Sequence, residues 1–236
     1  MKAVFIEKHG DLDVLEYGDI NEIKPKKNQV IIKIEACSIN HLDIWIRKGL
    51  PRFNVPLPLI LGSDGAGKIV DLNSVNTDFK VDDEVVVQPG IFDLNCSEVL
   101  SGNENYSSSY GILGETQNGV QSEYVALNLE NIYPKPNHLS FEEASSMQLV
   151  FMTAYQMLIK RAKIKKGNKI LIYGATSGVG SAAIQIAKYF DLTIFTTVGH
   201  KTKNEHAVKM GADYIYNHSS NDWFNEIKED LKNDKI

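Results

Sequence analysis

Cysteine is scarce: Cys37 and Cys96 are the two thiols among 236 residues. One disulfide is the most they could form, which excludes a disulfide-stapled secreted scaffold, and the thiols of a cytosolic protein are reduced by default. Long apolar runs are missing as well. No stretch reaches the ~20 residues that a membrane-spanning helix needs, and MKAVFIEKHG lacks the long apolar centre of a cleavable leader. A soluble cytoplasmic protein with no membrane partner is expected. Basic residues are outnumbered, 25 Lys and Arg against 30 Asp and Glu, and no dense Lys/Arg run interrupts the formal net charge of -5. That leaves no electrostatic footprint for a phosphate backbone, so nucleic acid is not expected as a partner. What the chain does have is 43% hydrophobic residues, enough for one large domain or two modest ones, and two are expected.

Residues 1 to 130 read as short strands between turn signals: MKAVFIE, QVIIKIEACSI, GAGKIVDLN, DEVVVQPG and QSEYVALN. No helical periodicity competes there, so an antiparallel, barrel-like domain is expected. The segment NENYSSSYG (103–111) is polar enough for a loop. After PKPNHLSFEEA the grammar changes. Ser140, then Glu142 and Glu143, then an apolar run to about Ala162 predict an N-cap, an acidic first turn and one long helix. Strand and helix then alternate: KILIYGA (169–175), SGVGSAAIQIAKYF (177–190), LTIFTTVG (192–199), a helix around Lys203 to Met210, DYIYN (213–217) and the amphipathic NDWFNEIKEDLKN. That series predicts half of a doubly wound parallel sheet over residues 131–236, without the second set of strands of a full dinucleotide fold.

IYGATSGVGSAA joins a strand end, a tight turn and a helix start, the context in which a Gly-rich motif carries weight. Gly174, Gly178 and Gly180, with Thr176, Ser177 and Val179 between them, would let a pyrophosphate approach free N–H groups at the positive end of a helix. The spacing has one residue more than plain GxGxxG, and a tight packing corner would use the same glycines. Folds that prefer NAD place an acid about 20 residues beyond the glycines for the ribose 2′-OH. Here that region reads TTVGHKTK, with Gly199, Lys201 and Lys203 and no acid, which favours NADPH; a solvated basic turn would look the same. His218, just past the third strand, could reach the same 2′-phosphate.

Taken in order, EACSINHLDIWIRKG, PLILGSDGAGKIV, VDDEVVVQPG, ILGE with GVQSEYVALN, LSFEEASSMQL with MTAY, GATSGVGSAAIQIAK and MGADYIYN span essentially the whole chain. They resemble the medium-chain dehydrogenase/reductase superfamily, closest to its zeta-crystallin-like quinone oxidoreductase and zinc-type alcohol dehydrogenase-like branches. The resemblance implies an α/β protein. A GroES-like catalytic domain would occupy 1–130 and the first half of a Rossmann dinucleotide-binding domain 131–236, with the substrate cleft between them. Relatives carry three more strands; without them the first strand of the parallel sheet would keep an exposed apolar edge, so low stability or a homo-oligomer is expected.

Zinc-using members hold a catalytic ion with Cys, His and Cys, and the motifs carry these ligands onto Asn40, Ser63 and Leu149. That set lacks the basic donors of a zinc site. Four cysteines of a second, structural site fall at Asp93, Cys96, Val99 and Ser107, one thiol of four. Cys37, close in sequence to His41 and Asp43, looks like a buried small hydrophobe. No metal is therefore expected.

Without a Lewis acid, oxidation of simple alcohols loses its main source of transition-state stabilisation. Hydride delivery to a quinone or α,β-unsaturated carbonyl loses less, because a hydrogen-bond donor can meet the charge developing on oxygen. The resemblance makes Asn40 that donor and a contact of the nicotinamide side; capping the following helix is its structural alternative. His41 and Asp43 are near enough to relay a proton, or Asp43 stabilises the helix dipole. Ser63 and Asp64 would face the cleft, or simply form the turn LGSDGAG. Thr153 resembles the family's nicotinamide-contacting Thr, or bonds its own backbone. The expected activity is an NADPH-dependent reduction of a small quinone or enone without zinc. The alternatives are an alcohol dehydrogenase-like enzyme acting on another carbonyl or alcohol, and a catalytically silent nucleotide-binding protein.

Overall fold

The computed structural model describes residues 1–51 and 53–232. It divides into two compact units, Met1–Leu149 and Val150–Ile236. In the first, strands β1 (Lys2–Ile6), β2 (Glu16–Asp19) and β4 (Leu59–Ile60) form one antiparallel sheet in the order β2-β1-β4. Strands β3 (Gln29–Cys37), β5 (Gly65–Asp71), β6 (Glu84–Val87), β9 (Tyr124–Asn128) and β10 (Ile132–Pro134) form a larger one, also antiparallel, in the order β10-β6-β5-β3-β9. A short ladder pairs β7 (Gly90–Ile91) with β8 (Gly111–Ile112). Helix α1 (His41–Lys48) follows β3, and the one-turn α2 (Ser97–Leu100) lies in the lobe between β7 and β8.

Strand alternation decides which side chains enter the core. Along β3, Val30 and Ile32 are fully buried with Ile69, Val85 and Leu127, while Lys33, Glu35 and Cys37 stand on the other face and are exposed. Cys37 is therefore not the buried hydrophobe expected from the sequence: two-residue periodicity places it with the charged residues of its strand. Close approach of β3 and β5 is set at Gly67, where a Cβ would stand 2.0 Å from the Lys33 carbonyl oxygen, beside the register shift between Ile34 and Ala36.

The division falls after Leu149, not after residue 130. β10 pairs with β6, and buried Lys135 reaches Glu84 at 3.1 Å while donating to the Leu139 carbonyl, so 131–149 is bound to the first unit. Ser140 caps α3 (Phe141–Ala144) as expected: its Oγ accepts from Glu143 N–H at 3.2 Å and its N–H donates to Glu143 Oε2 at 2.9 Å. The single long helix does not form. Ser145 Oγ donates to the Glu142 carbonyl and Ser146 Oγ to the Glu143 carbonyl, the side-chain competition that ends helical turns. Helix α4 (Gln148–Tyr155) then starts afresh and passes into a π-helical turn, Gln156–Arg161.

The second unit is a parallel sheet of β11 (Lys169–Ile172), β12 (Thr193–Val198) and β13 (Tyr214–Asn217) in that order. Between them run α5 (Gly178–Tyr189) and α6 (Asn204–Met210); α7 (Trp223–Lys232) follows. The position expected to end that last helix, 233, lies outside the described residues. Ile194 and Val198 join Ala183, Ile184 and Ala187 of α5 in one buried cluster, whereas Phe195 and Tyr216 meet Ile227 of α7. β12 is buried on both faces, and its threonines Thr196 and Thr197 are fully buried with the apolar residues. β11 is an edge, and Leu171 and Tyr173 are exposed beside it. Among the described residues no helix is long and apolar enough to cross a membrane.

Gly67→Ala is expected to lower the stability of the chain by about 2 kcal/mol or more, because backbone cannot yield a contact of 2.0 Å cheaply. Gly102→Ala, with nothing within 4 Å of its Cβ, should cost about 1 kcal/mol from its positive φ alone. Urea unfolding midpoints of the two variants provide the comparison.

Candidate functional site

Two buried carboxylates organise the junction between β3 and α1. Asn40, in extended conformation at the N-cap of α1, donates from its main-chain N–H to Asp43 Oδ2 at 2.8 Å and from Nδ2 to Asp64 Oδ2 at 3.0 Å. The other oxygen of Asp43 accepts from Gly62 N–H at 3.2 Å. The other oxygen of Asp64 accepts from Leu149 N–H at 2.9 Å, and Ser38 Oγ approaches Asp64 Oδ2 at 3.5 Å. Asp43 is 5% exposed and Asp64 fully buried. Burial pushes Asp43 above the ordinary carboxylate range. It pushes Asp64 up to about 6; the bonds from Asn40 and Leu149 pull downward, and the nearby Asp43 charge adds to the rise.

The turn that carries Asp64 is held by glycines. Gly62 has φ +92°, and Cβ atoms on Gly114 and Gly119 would come within 2.7 and 2.0 Å of Gly62 backbone atoms. Ser63, also fully buried, donates its hydroxyl to the Leu113 carbonyl at 2.9 Å. Ser63 and Asp64 thus turn inward, away from any open surface. His41 separates from Asp43: it is exposed on the outer side of α1, against Trp45 with ring centroids 4.9 Å apart.

Asn40, Ser63 and Leu149 do not fit a zinc ion. The Asn40 amide is bonded to Asp64, the Ser63 hydroxyl to a carbonyl, and Leu149 offers no side-chain donor. Among the described residues no group of three His, Cys, Asp or Glu side chains is placed to hold a metal. In the α2 lobe, hydrogen bonds join the corresponding positions: Cys96 Sγ donates to Ser107 Oγ at 3.2 Å, Ser107 and Ser109 hydroxyls lie 2.8 Å apart, and Asp93 N–H donates to Ser109 Oγ at 3.1 Å.

A mostly apolar groove of about 1050 Å³ in the first unit is lined by Leu12, Tyr17, Cys37, Ile39, Ile44 and Arg47 among others, and it reaches Asp43. Arg47 is 7% exposed and its Nε has no hydrogen-bond partner.

In the second unit the glycine turn takes the form that its spacing suggests. Gly174 has φ +80°, Ser177 N–H donates to its carbonyl at 3.0 Å, and Ser177 Oγ caps α5 by accepting from Gly180 N–H at 2.9 Å. A Cβ on Gly180 would stand 2.2 Å from the Gly174 carbonyl oxygen, so the extra residue is absorbed by close packing of the two glycines. The first-turn N–H groups of Gly178 and Val179 have no intrahelical acceptor; Thr176 lies partly buried in the bend before them. Beyond β12, Gly199 faces His218, whose Nε2 would be 3.2 Å from a Cβ there. Lys201 and Lys203 lie exposed on the following turn, which His200 caps. Thr153 is exposed in α4.

Sequence reasoning passed over Thr197. Its Oγ1 accepts from Gly174 N–H at 3.1 Å and lies 3.0 Å from His218 Nδ1, so one fully buried hydroxyl links the glycine turn to the end of β13. A hydroxyl inside the apolar run TIFTTV was the available signal. Ser38, whose N–H donates to the Asp64 carbonyl at 3.1 Å, gave none.

Family models match both units: residues 26–137 fit the alcohol dehydrogenase GroES-like domain and residues 178–236 the zinc-binding dehydrogenase family. Human quinone oxidoreductase is 31% identical over 97% of this chain and 62% of its own length. An NAD-dependent alcohol dehydrogenase of Sulfurisphaera tokodaii is 32% identical over 91% of this chain and 64% of its own. A crystal structure of an NAD-dependent alcohol dehydrogenase, 39% identical, superposes with TM-score 0.93 over 97% of this chain and 67% of its own. The chain thus spans about three fifths of the curated relatives that it matches. Motif order, fold and these similarities make it a member of the medium-chain dehydrogenase/reductase superfamily.

Proposed function

We propose that this protein is an oxidoreductase that moves a hydride between a nicotinamide dinucleotide and a quinone or α,β-unsaturated carbonyl, without zinc. The observation that carries the reading is the turn at Gly174–Gly180, with a capped helix start, two glycines in backbone contact and unpaired first-turn N–H groups, the arrangement that receives a pyrophosphate. NADPH is the proposed dinucleotide. Residues 199–203 at the end of β12 hold no acid to bind a free 2′-OH, and Gly199 with Lys201 and Lys203, beside His218, offers a small residue and positive charge to a 2′-phosphate. NADH is the second reading, supported by the name of the 39% identical structure.

On the acceptor side, Asn40 is the hydrogen-bond donor of this proposal. One amide hydrogen is spent on Asp64; the second is available to an oxygen that gains negative charge as hydride arrives. The nicotinamide supplies the hydride, and Thr153 is its proposed contact in the second unit. Asp64, pushed up to about 6, is the group beside Asn40 that can hold a proton near neutrality, and burial raises Asp43 as well. His41, on the outer face of its helix, and Ser63, bonded to a carbonyl, have no part in the reading.

Titration of the intact chain with NADPH and NADH is expected to show tighter binding of NADPH. Lys201→Ala with Lys203→Ala should weaken NADPH about tenfold while leaving NADH nearly unchanged. Loss of both nucleotides in equal measure would refute the 2′-phosphate assignment, and binding of neither would remove the cofactor.

Asp64 also predicts how stability varies with pH. Its value in the folded chain, about 6, lies above the ordinary 3.8, so the fold binds this proton more tightly than the unfolded chain does. The benefit is complete below 3.8 and is lost as pH rises through 6; at most about 3 kcal/mol is at stake. Asp43 acts in the same direction. Asp19, Glu98 and Glu142 are shifted downward and act below this window. The chain should resist urea better at pH 5 than at pH 8, and Asp64→Asn should flatten the difference. A wild-type protein that gains stability between pH 5 and 8 would contradict the assignment.

A further inference from the structure

We propose that Asp64 is the positioning residue of this site, taking one hydrogen of the Asn40 amide so that the other is aimed at the substrate oxygen. The inference rests on the donor role given to Asn40 above. Asp64 cannot itself touch a substrate, because it is fully buried and both of its oxygens are occupied, one by Leu149 N–H and the other by Asn40 Nδ2 and Ser38 Oγ.

What Asp64 controls is a choice that the Asn40 amide would otherwise leave open. An Asn side chain has a donor end and an acceptor end of nearly equal size. An ionised carboxylate only accepts, so the nitrogen end alone can face Asp64, and the reversed amide would set oxygen against carboxylate. The main chain of Asn40 is fixed independently: its N–H donates to Asp43 Oδ2, and its carbonyl accepts from Asp43 N–H at 3.0 Å. Rotation of the side chain is the freedom that remains: Asp64 holds its nitrogen end, and the Asp43 N–H of the capping box meets its oxygen end. Asp64 is itself anchored from two sides, by Ser38 N–H on its carbonyl and Leu149 N–H on its carboxylate. A charge-assisted bond of this kind is roughly twice as strong as a neutral one. It also polarises the amide, which strengthens the remaining N–H as a donor.

Asparagine at 64 would preserve size and lose this selection. Its single acceptor end can serve Leu149 N–H or Asn40 Nδ2, and its NH₂ then opposes the other.

The test uses the intact chain labelled with ¹⁵N-asparagine, at pH 8, with the Asn40 side-chain signals assigned from their absence in Asn40→Ala. In the wild type the two Asn40 amide protons should be widely split in chemical shift, and the one bonded to Asp64 should exchange at least about tenfold more slowly than in surface asparagines. Asp64→Asn should collapse that pattern. Lowering the wild type to pH 5, where Asp64 takes up its proton, gives the same comparison without a substitution, should the variant fail to fold. In turnover, Asn40→Ala and Asp64→Asn should each slow NADPH-dependent reduction of 1,4-benzoquinone about 10–100-fold, with Asp64→Asn leaving the NADPH dissociation constant unchanged and the double variant no slower than Asn40→Ala. An Asn40 signature that persists in Asp64→Asn and at pH 5, or additive losses in the double variant, would overturn the proposal. A wild type that binds NADPH without reducing the quinone would sink the functional reading, while the amide signals still decide whether Asp64 positions Asn40.

Discussion

Asp64 is fully buried in the first unit and, among the described residues, forms no ion pair, and much of the local architecture follows from that constraint. Removing a carboxylate from water is costly unless donors replace the lost hydration. Asp64 collects those donors from three places in the chain: Ser38 and Asn40 before α1, and Leu149 at the start of α4. Asp43 does the same with Asn40 and Gly62. Such convergence requires the Gly62 turn to pass against Gly114 and Gly119 at backbone distance, which any side chain at those positions would prevent. The glycines serve the carboxylates, and the carboxylates fix one asparagine.

The second unit solves a different problem with a neutral hub. A dinucleotide site needs main-chain N–H groups left unpaired at a helix start, so the bend before them must be rigid without using those groups. Ser177 Oγ accepts from Gly180 N–H, the Gly174 carbonyl accepts from both the N–H and the hydroxyl of Ser177, and Ser181 turns to the Ser177 and Ala175 carbonyls, so the bend is bonded from within. Thr197 reaches across from β12 to bond Gly174 N–H and meets His218 on its far side. Tyr173 stacks on the His218 ring with centroids 4.7 Å apart. The glycine bend and the end of the parallel sheet therefore share a support.

Periodicity and turn chemistry made most of the fold legible. The alternation in QVIIKIEAC and the continuous apolar run in KILIYGA identify an antiparallel and a parallel strand. Where the reading failed, a local competitor had been ignored. Ser145 and Ser146 end a helix that hydrophobic periodicity alone would continue. Cys37 was weighed as a member of a Cys-His-Asp cluster when its strand parity already set it on the exposed face with Lys33 and Glu35. The site was legible as residue types but not as roles. Asn40, Asp43 and Asp64 can be picked from the motifs, yet nothing in the order of residues says that Ser63 faces inward or that the backbone of Leu149 would bond Asp64 across 85 positions.

Chemistry then follows from what a hydrogen bond can and cannot replace. A Lewis acid stabilises a full alkoxide by several kcal/mol, and one neutral amide hydrogen in the same place cannot match it. In a quinone or enone the arriving hydride creates an enolate-like charge spread over a conjugated system, and each oxygen carries only part of it. A single well-aimed donor removes about 3–4 kcal/mol from such a barrier, provided that it is oriented before the reaction rather than during it. Orientation is what a free asparagine lacks and what the Asp64 contact supplies. On the proposed reading, the buried carboxylate that makes the site costly to fold is also the group that orients Asn40 as the donor for this charge.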